Sequence, residues 1–371
     1  MRKSVALKTQ RVEVDKILLV LPIILTVVGL VMMTNASVAQ AQNLFGDKFF
    51  FAKQQLMWAA LGLAGFFISA RLPSTLWEKI ATPLFWLTVI ALVLVLVPAV
   101  GTMALGARRW ITLGQFSFQP AEIAKLTSIL YFSRLFTKHE VLGWTHVFTF
   151  LFAVTLVGGL IVREPDLGTS VVIGVTSFVL FFVSGVPLAL FIALIPLAGA
   201  VTVALALSSS YRKQRLLSFL SGVFDPFQAS YHVKQVLLAV ASGGLFGVGL
   251  GESRQKFLFL PEAATDSIFA VIAEETGFVG SLVVIFLFVV LVARIFVVAK
   301  GVEVDFAKLV AVGIGTWIGV QALVNIAAMT ATLPLTGIPL PFFSYGGSSL
   351  FVTLFALGIV VNISKMRVVK R

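Results

Sequence analysis

The chain has 371 residues, of which 59% are hydrophobic and only 12% are charged. Soluble globular domains are about 45 to 50% apolar, so this composition excludes an ordinary soluble protein and indicates an integral membrane protein. The formal net charge of +12 does not indicate nucleic-acid binding, because membrane topology accounts for much of it. The absence of cysteine excludes disulfides and thiolate metal or redox sites.

Ten apolar stretches predict membrane-spanning helices, because a bilayer core requires about 20 mostly apolar residues per helix. They cover residues 17–37, 50–69, 81–100, 120–136, 146–162, 167–184, 187–207, 266–298, 307–330 and 347–364. We therefore predict an all-α, polytopic membrane protein with about ten transmembrane helices. Residues 1–371 form a single membrane domain in this interpretation, and a long extracytoplasmic loop, about residues 208–265, joins helices 7 and 8.

Basic residues cluster in both terminal segments and favour a cytoplasmic location for both ends, since short cytoplasmic segments are enriched in Lys and Arg. The basic residues of these segments are Arg2, Lys3, Lys8, Arg11, Lys16, Lys365, Arg367, Lys370 and Arg371. Ten spans return the two ends to one side. The turns after the second, fourth and eighth spans, which carry further Lys and Arg residues, agree with this orientation.

The opposite face also carries cations on this topology. They are Arg108, Arg109, Arg163, Arg212, Lys213, Arg215, Lys234, Arg254 and Lys256. Each one alone is consistent with a solvated loop that contacts phospholipid headgroups. Together they favour an anionic ligand, because the guanidinium fork matches phosphate oxygens.

The long loop contains one predicted helix. The stretch YHVKQVLLAVASGG places Val233, Val236, Leu237 and Val240 at helical spacing. This pattern predicts a short amphipathic helix along the membrane surface.

Four carboxylates stand at the start of the eighth span, in FLPEAATDSIFAVIAEETGF: Glu262, Asp266, Glu274 and Glu275. Asp266, at the outer end, is interpreted either as a helix cap that complements the dipole or as a general base at the mouth of a cavity. Ionisable residues deeper in a span indicate function, but for Glu274 and Glu275 buried structural pairing is an equal alternative.

Other polar residues in the spans have structural interpretations. Glu122 and Lys125 in FQPAEIAKL are spaced for an intrahelical ion pair, and Asp166 in REPDLGTS suits the first turn of a helix. Gln321 and Asn325 share a face of the ninth span and suit either interhelical hydrogen bonding or the lining of a pathway. The prolines of LPLTGIPLPFFSYGGSSLF break the helix before the tenth span, and such backbone must be buried in protein or line a cavity.

Several of these stretches together resemble the SEDS family, which includes RodA, FtsW and SpoVE. The matching segments are GARRWITLGQFSFQPAEIAKL, REPDLGTS, GGLFGVGLGESRQKFLFLPEAATDSIFAVIAEETGF and LPLTGIPLPFFSYGGSSL. They cover nearly the whole chain, and SRQKFLFLPEA with PLTGIPLPFFSYGGSSL is most similar to the FtsW/SpoVE branch. Ser267 departs from the aromatic residue that typically follows the family aspartate, and Val236 replaces the Ser that often follows Gln235.

The resemblance implies a peptidoglycan glycosyltransferase of the bacterial cytoplasmic membrane. Such an enzyme polymerises lipid II at the outer face, releases undecaprenyl pyrophosphate, and works with a class B penicillin-binding protein and other divisome or elongasome proteins. The family aspartate corresponds to Asp266, the expected base. Expected substrate-binding residues are Arg108, Arg109, Arg212, Arg215, Gln235, Arg254, Lys256, Glu262 and Ser344, and expected structural residues are Glu122, Lys125 and Asp166. A divalent cation, Mg or Mn, that bridges the pyrophosphate is a further expectation, although the sequence has no dedicated ligand cluster.

Three other classes of function stay open from sequence. A lipid II flippase would use the same basic cavity but would need access from both faces. An ion-coupled transporter would use Glu274, Glu275 and Asn325 as its pathway. A non-catalytic division scaffold would tolerate the loss of Asp266.

Overall fold

The computed structural model describes residues 14–104, 107–114, 116–137, 143–224 and 229–367. Within these ranges the chain forms twelve α-helices and three short strands. The helices are α1 (Lys16–Phe45), α2 (Phe50–Ser69), α3 (Ser74–Leu96), α4 (Pro120–Thr137), α5 (Trp144–Arg163), α6 (Leu167–Val183), α7 (Leu188–Leu207), α8 (Ser210–Phe224), α9 (Tyr231–Gly243), α10 (Ile268–Lys300), α11 (Asp305–Met329) and α12 (Gly347–Ser364). The strands are β1 (Gly101–Ala104), β2 (Ala107–Leu113) and β3 (Phe116–Phe118).

Each of the ten predicted spans coincides with a helix, and the predicted class of a helical, multi-pass membrane protein is confirmed. In the described part of the chain, seven helices are long and apolar enough to cross a membrane: α1, α3, α5, α7, α10, α11 and α12. Helix α6 is apolar but shorter. The number of ten crossings therefore stays a prediction.

A small antiparallel sheet, in the order β1-β2-β3, was not predicted. The third predicted span extended to residue 100, but α3 ends at Leu96 because Val97, which precedes a proline, adopts an extended conformation. The chain then enters β1, and β2 pairs with both of its neighbours. The sheet presents Arg108 and Arg109 at the end of the bundle where α4 begins.

Helices α4, α11 and α12 form the centre of the bundle, and α11 and α12 are the most buried of the apolar helices. Gly313 on α11 allows close packing, because a Cβ at this position would overlap the side chain of Ile129 on α4. Helix α7 lies at the periphery: none of its residues is buried, and it packs mainly against α6 and α8.

One end of the bundle is tied together around Asp15. The carboxylate of Asp15 caps α1 by accepting hydrogen bonds from the amides of Ile17 and Leu18, and it forms ion pairs with Arg294 and Arg367. The predicted terminal cations Arg2, Lys3, Lys8, Arg11, Lys370 and Arg371 lie outside the described residues. The predicted orientation of the termini is therefore untested.

Helix α10 is interrupted at Gly277, whose φ of 69° and ψ of −165° are not helical. The break leaves backbone groups without helical partners, and residues 244–249 supply new ones. The amides of Val248 and Gly249 donate to the carbonyls of Glu274 and Glu275, at 3.0 and 3.1 Å. In return, the amides of Phe278 and Val279 donate to the carbonyls of Gly244 and Leu245.

Helix α9 packs alongside the first part of α10. At its start His232 contacts Ser267, and at its end Gly243 lies against the backbone of Ala273 and Glu274. The prediction of an amphipathic helix is confirmed, and its predicted position along the membrane surface stays a prediction. We call residues 231–260 the re-entrant segment, since they enter along α10 and return to the end where Asp266 lies.

Candidate active site

Asp266 lies in a tight turn, residues 261–267, immediately before α10. The amides of Thr265 and Ser267 both donate to the carbonyl of Glu262 at 3.1 Å, and the hydroxyl of Thr265 donates to the Glu262 carboxylate at 2.7 Å. Glu262 has a φ of 52°, a left-handed conformation that few side chains adopt. The turn therefore places two carboxylates, Glu262 and Asp266, on one short loop.

The bundle holds this turn from the α11 side. The side-chain amide of Asn325 donates to the carbonyls of Asp266 and Ile338, at 2.8 and 2.7 Å. The hydroxyl of Ser344 donates to the carbonyl of Thr265, and the amide of Tyr345 donates to the carbonyl of Ala264 at 2.7 Å. These bonds fix the backbone of the turn and leave the Asp266 side chain to other contacts.

The Asp266 carboxylate is half-buried, and no described residue donates a hydrogen bond to it. Gly337 lies beside it with a φ of 75°, and a Cβ at that position would be 3.3 Å from Oδ2. The pKa of Asp266 is raised to about 7, with burial as the largest cause; the charges of Glu262 and Asp166 also raise it, whereas Arg215 and Arg109 oppose the shift. The carboxyl group therefore exchanges a proton near neutral pH.

Arg109 joins the sheet to the junction between α5 and α6. Its Nε donates to the carbonyl of Glu164 at 2.7 Å, and its Nη2 donates to the carbonyl of Pro165 at 2.6 Å. Asp166 caps α6 by accepting from the amide of Thr169 at 2.9 Å, and it also accepts from Gln119. The capping geometry matches the structural interpretation of Asp166.

The predicted substrate-binding cations are arranged unequally around Asp266. Arg109 and Arg215 are both half-buried and act electrostatically on its carboxylate. Arg215 also donates to the carbonyl of Leu335 at 3.3 Å. No described contact joins Arg108, Arg212, Gln235 or Arg254 to Asp266, and their role in substrate binding stays a prediction.

Lys256 does not fit the predicted substrate-binding role. Its ammonium donates to Asn35 Oδ1 at 2.7 Å, to the carbonyl of Gly251 at 2.6 Å and to Glu275 Oε1 at 2.9 Å. An ammonium has three donors, so this buried group has none left for a phosphate. Lys256 therefore has a structural role and not the predicted substrate-binding role.

Ser344, which was also predicted to bind substrate, has a structural role as well. Its side chain is buried. Its hydroxyl donates to the carbonyl of Thr265 and accepts from the amide of Leu340 at 2.8 Å. The single hydroxyl proton is thereby used within the fold, and Ser344 connects the loop before α12 to the turn that carries Asp266.

Glu274 and Glu275 hold the re-entrant segment, which favours their structural interpretation. Glu274 accepts from the Ser253 hydroxyl and from the amides of Arg254 and Gln255, at 3.0 and 3.4 Å. Glu275 pairs with Lys256 and accepts from Asn35. Both side chains are buried, so these partners offset the cost of removing their charges from water.

Glu122 and Lys125 form a buried ion pair on α4, with Lys125 Nζ 2.8 Å from Glu122 Oε2. Lys125 also donates to Gln321 Oε1 at 2.8 Å, and Gln321 accepts from the indole of Trp317. The pair therefore connects α4 to α11 in the centre of the bundle. Gln321 therefore serves as an interhelical hydrogen-bonding group, whereas Asn325 binds the loop carbonyls of Asp266 and Ile338.

Sequence reasoning missed two residues: Glu164, on which the charges of Asp166 and Arg109 act, and His232, which contacts the turn that carries Asp266. Glu164 is fully buried, and no described residue donates to its carboxylate oxygens. Its pKa is raised to about 8, mainly by burial and also by the charge of Asp166, whereas Arg109 opposes the shift. His232 contacts Ser267. Two features of the sequence could have indicated them: Glu164 comes two residues after the fifth predicted span, and His232 is one of only three histidines.

The described residues form no dedicated cluster of metal ligands. No group of three or more His, Asp or Glu side chains among them is arranged to hold one. Near Asp266, the carboxylate of Glu262 accepts a hydrogen bond from a hydroxyl, and that of Asp166 accepts from a backbone amide and a hydroxyl.

The fold and the site define a class of protein: a helical, multi-pass membrane protein with a half-buried carboxylate, on which two arginines act electrostatically, at one end of its bundle. The family described as cell cycle protein, which comprises FtsW, RodA and SpoVE, matches residues 15–368. The chain belongs to this family, as the resemblance of its motifs indicates.

Individual relatives agree over nearly the full length. Stage V sporulation protein E of Bacillus subtilis is 39% identical over 96% of this chain and 98% of its own length. The probable peptidoglycan glycosyltransferase FtsW of Coxiella burnetii is 39% identical over 92% of this chain and 93% of its own. These relatives support the FtsW/SpoVE branch.

Two solved structures are similar to the fold. The rod shape determining protein RodA of Thermus thermophilus superposes with a TM-score of 0.71 and 29% identity, covering 97% of this chain and 99% of that one. A chain from a study of structural coordination of polymerization and crosslinking by a peptidoglycan synthase complex gives a TM-score of 0.77 and 29% identity. That match covers 95% of this chain and 98% of the other.

Proposed function

We propose that this protein is a peptidoglycan glycosyltransferase that polymerises lipid II at the outer face of the bacterial cytoplasmic membrane, in cell division or cell-shape maintenance. The names of its FtsW relatives support the reaction class. The observation that carries the proposal is the half-buried Asp266 carboxylate, which no described residue binds and which Arg109 and Arg215 influence by charge.

The proposed reaction joins two lipid-linked sugars. A sugar hydroxyl attacks the anomeric carbon of the growing chain, a new glycosidic C–O bond forms, and the C–O bond to undecaprenyl pyrophosphate breaks. Asp266 accepts the proton of the attacking hydroxyl, since its pKa of about 7 lies near the working pH, where a general base acts best. The leaving pyrophosphate carries away the electron pair of the broken bond.

Cations near Asp266 stabilise the charge that develops on the pyrophosphate. Arg109 and Arg215 are the candidates that already act on this site, and preorganised positive groups lower the barrier because they need no reorganisation during the reaction. Arg109 is held by two backbone carbonyls. Its fixed position suits it to orient a phosphate without moving.

The proposal extends to location and partners. Both termini lie in the cytoplasm, residues 1–371 form one membrane domain, and a class B penicillin-binding protein crosslinks the strands that this chain makes. The similarity to a chain of a peptidoglycan synthase complex supports such a partner, and other divisome or elongasome proteins join it. A divalent cation bound by the pyrophosphate itself is the form of cation requirement compatible with the described residues.

The ion-coupled transporter is less favoured, because its expected pathway residues are committed to structural bonds. Glu275 pairs with Lys256, Glu274 binds the re-entrant backbone, and Asn325 binds two carbonyls. A transported ion would have to displace these partners.

The test is lipid II polymerisation by the purified full chain in liposomes, with and without a class B penicillin-binding protein and Mg²⁺. The variants are Asp266→Asn, which removes the base with little change of shape, and the matched control Glu252→Gln, an exposed acid of the re-entrant segment. Glycan strands from the wild type and the control, but not from Asp266→Asn, are expected. Wild-type transfer of lipid II across the bilayer without polymerisation would support a flippase, and no activity of either kind would support a scaffold.

A further inference from the structure

A histidine and a serine connect the re-entrant segment to the turn that carries Asp266. His232, the second residue of α9, is half-buried, and its Nε2 lies 2.7 Å from the hydroxyl of Ser267. Ser267 is fully buried and directly follows Asp266. Its hydroxyl also donates to the carbonyl of Pro261 at 2.9 Å.

These contacts determine where the protons lie. A serine hydroxyl has one proton, and Ser267 gives it to Pro261, so the bond between His232 and Ser267 requires the imidazole to donate from Nε2. The pKa of His232 is lowered to about 4, mainly by burial and also by the charge of Arg215. His232 is therefore neutral at physiological pH and protonated on Nε2.

The chain of bonds His232–Ser267–Pro261 closes the base of the turn. Pro261 and Ser267 are the first and last residues of the turn, so the serine hydroxyl holds its two ends together. His232 attaches this base to α9. Asn325, Ser344 and Tyr345 hold the opposite side.

We propose that His232 and Ser267 are a positioning pair that holds Asp266 at its depth and orientation in the site. Neither residue is catalytic in this inference, since both act through Asp266. It rests on the proposed function, because it assigns the pair a role in that reaction.

Loss of the pair has a specific electrostatic consequence. The charged groups that act on Asp266 are Glu262 in the same turn, Asp166 at the start of α6, Arg215 on α8 and Arg109 on β2. Burial is the largest cause of its raised pKa. A turn that is free on the α9 side admits water to the carboxylate, and the pKa of Asp266 then falls toward its ordinary value.

The variants His232→Ala, Ser267→Ala and the double variant test the pair in liposomes, with His232→Gln as a rescue that keeps an amide donor. Exposed Tyr231→Phe is the matched control on the same turn of α9. Each alanine variant is expected to lower kcat about tenfold to a hundredfold with little change in KM, because small misplacement of a reacting group is costly. The double variant should lose no more than one single variant, since coupled residues are not additive.

The pH dependence separates positioning from simple instability. The midpoint of the acid limb of kcat should move to lower pH in the alanine variants and return in His232→Gln. Additive losses, or lower rates with the wild-type midpoint, would overturn the inference.

A readout without activity keeps the inference distinguishable from the proposed function. Nitrogen NMR of imidazole-labelled full chain reports the tautomer of each of the three histidines, and the signal missing in His232→Gln identifies residue 232. Protonation on Nε2 alone is expected, with a tautomer mixture in Ser267→Ala. If the wild type polymerises no lipid II, the proposed function fails, whereas an unbonded or charged His232 removes the positioning pair itself.

Discussion

Lys256 and Glu275 form a buried ion pair, with Nζ 2.9 Å from Oε1, and both side chains are at least 95% inaccessible to solvent. The pair joins the returning part of the re-entrant segment to α10 above the break at Gly277. Asn35 on α1 contacts both partners. Three separate parts of the chain therefore meet at one pair of charges.

Lys256→Met should destabilise the protein strongly, because it leaves Glu275 buried without its counter-ion. Breaking a buried pair in this way typically costs about 3 to 5 kcal/mol. The measurement is thermal unfolding in detergent, with Lys53→Met as the control, since the Lys53–Asp47 pair is exposed and such pairs contribute about 0 to 1 kcal/mol. Equal effects of the two substitutions would contradict the assignment of Lys256 as a structural residue.

The turnover of lipid II should rise with pH through about 7. A carboxyl group can act as a base only when it is deprotonated, and the raised folded-state pKa of Asp266, about 7, keeps this group protonated below that value. Asp266→Asn should lower kcat by roughly 10² to 10⁴, the usual contribution of a positioned general base. A pH-independent rate between pH 5 and 8 in the wild type would contradict this role.

Glu262→Gln and Arg215→Gln should move the acid limb of the pH profile in opposite directions. Glu262 raises the pKa of Asp266, so its neutralisation moves the midpoint to lower pH. Arg215 lowers that pKa, so its loss moves the midpoint to higher pH. Each shift should be about 1 pH unit or less, because these neighbours are secondary to burial. Kinetics across a pH series measure both, and shifts of the same sign would contradict this arrangement of charges.

Gly337→Ala should lower activity more than it lowers stability. The left-handed φ of 75° disfavours any side chain, and the new Cβ would lie 3.3 Å from Asp266 Oδ2. Gly46→Ala is a matched control, because its φ is 68° and nothing lies within 4 Å of the added Cβ. Both should destabilise by about 1 to 2 kcal/mol, while only Gly337→Ala reduces turnover. Equal polymerisation rates would show that Gly337 does not shape the space around the carboxylate.

Local patterns in the sequence predicted much of the fold. Apolar stretches located ten helices, and the spacing of Glu122 and Lys125 matched their pair, because both signals depend on near neighbours. The sheet was missed because its strands are only three to seven residues long and follow directly from an apolar span. Hydrophobic periodicity alone could not distinguish these strands from the end of the third predicted span.

Long-range contacts account for what the sequence could not predict at the site. Lys256 meets Glu275, 19 residues away, and Asn35, 221 residues away, and only the folded bundle brings these groups together. From sequence alone, the cations of the loops could therefore not be assigned different roles. The structure separates Arg109 and Arg215, which act on Asp266, from Lys256, which stabilises the fold.

The break at Gly277 constrains how the protein is assembled in the membrane. Phe278 and Val279 donate, and Glu274 and Glu275 accept, through backbone groups that lipid cannot satisfy. Their partners, residues 244–249, precede α10 in the chain and are synthesised first. The re-entrant segment must therefore pair with α10 before the backbone groups at the break are satisfied, so that correct folding of this helix depends on the loop that comes before it.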